Sequence, residues 1–123
     1  MARDLIRLMQ SLFPPAASAC GAVHWRPSAD VYHTRSGWLV KFDLAGVRPE
    51  DITLTAQGSR LTVCGRRRDW TIAEGNRYYR MEIAYSHFER SLELPCQLDP
   101  ARITSEFREG MLLVRIETEE GET

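Results

Sequence analysis

A chain of 123 residues is long enough for one sizeable hydrophobic core and too short for two. Its 16 basic residues against 17 acidic ones leave a formal net charge of −1, which gives no electrostatic case for a dedicated nucleic-acid or membrane binder. Hydrophobic content of 43% and charged content of 27% suit an ordinary globular domain, and no run approaches the roughly 18 apolar residues of a spanning helix.

The first segment, "RDLIRLMQSLF", carries Leu5, Leu8, Met9 and Leu12 at helical spacing and ends on Phe13. This reads as a short helical or flexible amphipathic arm. "FPPAASACGA" then interrupts it with two prolines and small residues, a linker signature. From Trp25 onward the hydrophobic period becomes two. "GWLVKFDLAG" places Trp38, Val40, Phe42 and Leu44 on one face. "EDITLTA" alternates Ile52 and Leu54 with threonines, and "GSRLTVCG" pairs Leu61 with Val63 beyond a hairpin turn at "QGS". "RRRDWTIAEGN" is polar and irregular, so a loop is expected. "RYYRMEIAY" and "FERSLEL" read as two further strands, with Pro95 ending the second. "ARITSEF" and "EGMLLVRIE" complete the set around a turn at Gly110, and "TEEGET" is an acidic tail. Seven or eight short strands after one helix-like arm indicate an all-β, immunoglobulin-like sandwich. The expected division is 1–24 arm and linker, 25–117 sandwich domain and 118–123 tail.

Motifs of covalent and nucleotide chemistry are absent: there is no P-loop, nucleophile elbow, H-E-x-x-H or paired C-x-x-C. No catalysis, cofactor or metal site is therefore expected. The nearest metal-like fragment, Cys20-x-x-x-His24, lies in the linker without a second pair. Cys20, Cys64 and Cys96 are an odd, widely spaced set, which does not read as a disulfide framework. With no secretory signal evident, a reducing, cytoplasmic setting is the default expectation. Cys64, between Val63 and Gly65, reads as a packing or surface residue. Arg66, Arg67 and Arg68 read as a solvated loop answering nearby carboxylates, and Tyr78 and Tyr79 as cross-strand packing residues.

One strand breaks its own pattern. In "FERSLELP" the residues Phe88, Arg90, Leu92 and Leu94 share a face, opposite Glu89, Ser91 and Glu93. A cation in an apolar row needs a partner. The question is which group supplies it, and from which chain.

Several motifs in combination resemble the α-crystallin domain of the small heat-shock proteins, bacterial type. They are Trp25-x-Pro27 with Asp30-x-Tyr32, Asp43-Leu44-x-Gly46 before Glu50-Asp51-Ile52, Leu61-Thr62-Val63-x-Gly65, Phe88-x-Arg90, and Gly110-x-Leu112. The resemblance covers about 25–117 in order and spacing. It departs from the family at Ala45, where proline is usual, at Ser86 or His87, where a glycine often precedes Phe-x-Arg, and at Met111, where the family has valine. The family's C-terminal Ile-x-Ile/Val tail is also missing from this sequence.

The resemblance implies an ATP-independent holdase that binds partly unfolded clients, assembled as a homodimer by strand exchange or as a small oligomer. The exchanged strand would span 77–82, with Arg77, Tyr78, Tyr79, Arg80 and Glu82, and the receiving strand 28–33, with Asp30 and Tyr32. Arg90 would lie at or beside that interface. Edge strands near 51–55 and 103–107 would border an apolar groove through Ile52, Leu54, Ile103 and Phe107, open for clients or for tails of other family members. Leu5, Leu8, Met9, Leu12 and Phe13 of the arm would contact clients. Two rival readings share the sandwich: an adaptor that caps or co-assembles with other small heat-shock proteins, and a CS-type co-chaperone domain. A long inter-strand segment, Phe-x-Arg and Gly-x-Leu favour the first family over the CS type.

Overall fold

The inward rows read from the alternation become the two walls of one core. The computed structural model describes residues 23–71 and 73–118. Seven strands run in chain order: β1 (Ala29–His33), β2 (Gly37–Asp43), β3 (Ile52–Gln57), β4 (Arg60–Arg67), β5 (Ser86–Glu93), β6 (Ile103–Arg108) and β7 (Met111–Glu117). They form two antiparallel sheets, ordered β1-β2-β7-β6 and β3-β4-β5. Val40 and Phe42 of β2 face Val114 and Leu112 of β7 in register, and all four are buried. Leu54, Leu61, Val63 and Phe88 supply the opposing wall. Sandwich and strand number therefore agree with the sequence reading; the arm lies outside the described residues.

Two hairpin turns set the register. Gln57 pairs with Arg60 across Gly58-Ser59, with Gly58 at φ +62°. Arg108 pairs with Met111 across Glu109-Gly110, both with positive φ, the sense of twist that two-residue hairpins need. Gly65 is required for a different reason. A Cβ placed there would sit 2.1 Å from the Asp51 carbonyl oxygen, because the 3-10 turn Pro49–Asp51 passes directly against β4.

Two expectations change. β4 continues through Arg66 and Arg67, where the sequence suggests a loop, because they pair with His87 and Ser86 of β5. The segment "RYYRMEIAY" is no strand within the chain; apart from half-buried Tyr85 it is an exposed connection between β4 and β5. A strand exists only where an edge accepts its hydrogen bonds, and no edge of its own chain does so here. Ser86, at the start of β5, has φ +79°, a left-handed conformation that a non-glycine residue seldom adopts.

Cys96 is a free, half-buried thiol whose pKa is pushed up by burial. Cys64 is buried in β4, as the packing reading has it.

Candidate functional site

Arg90 stands where alternation puts it, on the inward side of β5 opposite the buried Val63. Its Nη1 donates to the Pro27 carbonyl oxygen at 2.9 Å, while its Nε is buried without a hydrogen-bond partner. The partner within the chain is thus a carbonyl, and part of the guanidinium's donor capacity is unmet. Pro27 lies two residues before β1, so Arg90 reaches under the start of that strand.

Among the described residues β1 is the outer strand of the four-stranded sheet and pairs only with β2. Four strands face three, so one strand lacks cover. The shortfall falls on β1: Val31, in register with the fully buried Val40, is 43% exposed. On its other face Asp30 lies 4.0 Å from Lys41, whose ammonium sits 5.4 Å from the Tyr32 ring centroid. The Tyr32 hydroxyl, chiefly, holds the Lys41 pKa above the usual lysine value.

The remaining exposed apolar surface lies in the connection to β5. Eight large hydrophobic side chains are exposed among the described residues, and seven of them are Val31, Tyr32, Trp70, Tyr78, Tyr79, Met81 and Ile83. Tyr79, at 98%, is almost wholly in solvent. Tyr79, Met81 and Ile83 recur at every second position, the row an extended segment would present to one side. Arg80 and Glu82 occupy the other row and pair at 3.3 Å. Arg77 and Tyr78 are exposed beside them. β1 and the 70–83 connection therefore hold nearly all the unsatisfied apolar surface described. The sequence reading named Tyr79 and missed Val31 and Ile83, although the same alternation pointed to Ile83.

The groove residues are placed differently. β3 and β6 are each the outer strand of a sheet, as expected. Ile52, Leu54 and Ile103, however, are only 5%, 1% and 2% exposed and belong to the core; Phe107 is half-buried against it. The alternation that groups them also turns them inward, so they offer no open apolar groove. The client-contact residues of the arm, Leu5, Leu8, Met9, Leu12 and Phe13, lie outside the described residues.

The arginine run divides into two roles. Arg68 grips Asp51 in a bidentate pair, Nε to Oδ2 at 3.0 Å and Nη2 to Oδ1 at 3.1 Å, as the expectation of nearby carboxylates has it. Arg67 goes instead to the Ala84 and Ala45 carbonyls and the Trp25 ring. The Arg68 bond holds the Asp51 carboxyl below the usual aspartate range, and Ser59 with Arg60 does the same for Glu93. A depressed folded-state pKa contributes stability above the unfolded pKa and loses it as pH falls through the folded value. The urea midpoint should therefore fall below about pH 4, and Asp51→Asn should flatten that acid limb. An acid limb identical in parent and variant would remove Asp51 from the account.

Among the described residues no group of three or more His, Cys, Asp or Glu side chains could hold a metal ion. No helix among them is long and apolar enough to cross a membrane. The sandwich, its open-edged first strand and the exposed connection before β5 define a β-sandwich module with an unfilled pairing edge. A family model described as the Hsp20/alpha crystallin family matches residues 30–123, and the chain belongs to that family. It is 29% identical over 94 residues to small heat shock protein C4 of Rickettsia felis, covering 76% of this chain and 58% of that protein. It is likewise 29% identical over 103 residues to spore protein SP21 of Stigmatella aurantiaca, covering 84% and 61%. Among solved structures, hspA from Xanthomonas axonopodis superposes with a TM-score of 0.70 at 28% identity, covering 80% of this chain and 99% of that one. The chain spans about three fifths of the length of these two curated relatives.

Proposed function

We propose that the protein is an ATP-independent holdase: it binds partly unfolded proteins through apolar surface, keeps them from aggregating, and performs no catalysis. Membership of a chaperone family supports this. The observation that carries it is the concentration of exposed large apolar side chains on β1 and residues 70–83. A patch left uncovered in a single chain marks an interaction site, which the partner copy covers in a strand-exchanged dimer and which clients reach when the exchanged segment is released. Arm residues Leu5, Leu8, Met9, Leu12 and Phe13 add client contact in this reading. Ile52, Leu54, Ile103 and Phe107 take part only if an edge strand opens, given their burial. The pure protein, without nucleotide, should suppress aggregation of a heat-stressed client followed by light scattering. No suppression at several-fold molar excess would replace this reading by the adaptor.

The working unit in this reading is a homodimer in which residues 77–82 of one copy pair with the open edge of β1 in the other. The row Tyr79, Met81 and Ile83 would then continue the inward row of β1, whose Val31 and His33 are exposed, while Arg80 and Glu82 meet Asp30, Tyr32 and Lys41 outside. Tyr79→Pro removes a ladder donor, and sedimentation should show the variant shifted toward monomer. A variant that stays fully dimeric at micromolar concentration would disprove the exchange. The cytoplasm completes the proposal as the compartment of a chaperone without a disulfide framework. Fractionation of cells tests it, and recovery of the protein outside the cytosolic fraction would overturn it.

A further inference from the structure

We infer that Arg67 is a pin that couples the N-terminal entry of the sandwich to the base of the 68–85 connection, so that the two loosen together. Its guanidinium is shared among three parts of the chain. Nε and Nη2 both donate to the Ala84 carbonyl oxygen, at 2.8 and 2.5 Å, and Nη1 donates to the Ala45 carbonyl oxygen at 2.9 Å. The same group lies 4.2 Å from the Trp25 ring centroid and 5.5 Å from that of Tyr85. Trp25 closes the circuit. Its Nε1 donates to the Ser86 carbonyl oxygen at 3.1 Å, and its ring packs 5.0 Å from that of Phe88. The backbone beside it is tied to β5 as well, His24 N–H donating to the His87 carbonyl oxygen at 2.8 Å.

No carboxylate takes part in these contacts. The cation is held by carbonyl dipoles and a ring face, which suits a planar guanidinium with donors on three nitrogens and not an ammonium. Ser86, at φ +79°, sits at the centre of this knot, where the surroundings must hold a backbone conformation that serine does not favour. Removing either Arg67 or Trp25 therefore frees the same junction: the point where the chain enters from residues 23–25 and the point where the connection joins β5. The consequence for function rests on the strand-exchange reading. If residues 77–82 are the exchanged segment, Arg67 sets how readily that segment and the N-terminal entry are released.

The test is a pair of crossed substitutions read by backbone NMR order parameters in the full chain. Arg67→Met should lower the values at His24 and Trp25 as well as at Ala84 and Tyr85, from about 0.85 to below about 0.6. Trp25→Leu should loosen Ala84 and Tyr85, which it adjoins only through the pin and Ser86. Arg66→Met, which removes an exposed neighbour, should leave both places rigid. Loosening confined to one side of the junction overturns the inference. So does an equal loss of order through β2 and β7, which would mean general destabilisation. Should Arg67→Met fail to fold, Trp25→Leu carries the test alone. None of these readings depends on dimerisation. A chain that sediments as a monomer with its junction rigid would defeat the exchange reading and leave the pin standing.

Discussion

Gly65→Val should leave little folded protein at room temperature. The new Cβ would stand 2.1 Å from the Asp51 carbonyl oxygen, 3.1 Å from the Asp51 carbonyl carbon and 2.9 Å from Phe88 Cζ. Neither neighbour can give way cheaply. The carbonyl belongs to the turn that delivers the chain into β3, and Phe88 is fully buried and paired with Gly65 across the β4–β5 ladder. Adding even a few methyl groups to a packed core costs about 1–3 kcal/mol. A backbone collision at the junction of three strands belongs with the exceptional losses of more than about 4 kcal/mol. Against a typical total of roughly 5–15 kcal/mol, that consumes most of the margin. Urea unfolding followed by circular dichroism reads it directly. A midpoint within about 0.5 M of the parent, a small shift against an m-value of roughly 1–3 kcal/mol per M, would mean that the turn and β4 are not packed as described.

Arg90→Ala is expected to act on assembly more than on the fold. Among the described residues the guanidinium makes a single hydrogen bond, to the Pro27 carbonyl, and its Nε is buried without a partner. Truncation removes a contact and an unmet donor together, so the thermal midpoint of the sandwich should move little. In the proposed dimer the second copy brings acceptors against β1, close to Pro27. Losing a hydrogen bond made by a charged group costs about 1.5–3 kcal/mol, which raises a dissociation constant by roughly one to two powers of ten. Arg66→Ala is the comparison, because an exposed arginine contributes about 0–1 kcal/mol. Equal dissociation constants for the two variants, measured by sedimentation over a dilution series, would place Arg90 outside the interface.

The sequence alone determined most of the fold. Alternation is a local property: each strand carries its own record of which side is apolar, and Val40, Phe42, Leu54, Val63, Leu112 and Val114 all lie where that record puts them. Gly58 and Gly110 marked the hairpins, because two-residue turns demand positive φ. The inward position of Arg90 was legible for the same reason. What alternation does not carry is the identity of whatever covers a face. Ile52, Leu54 and Ile103 were correctly grouped, and only the closing of one sheet on the other decided that they are core and not groove. Residues 77–85 have the composition of a strand, but a ladder needs an edge, and the connection lies exposed because its own chain offers none. The partner of Arg90 lies 63 residues away in sequence, and the Trp25 hydrogen bond to Ser86 spans 61. Such contacts are made by the folding of remote segments onto one another. No periodicity within either segment encodes them, so the reach of Arg67 and the unmet donor of Arg90 became visible only in three dimensions.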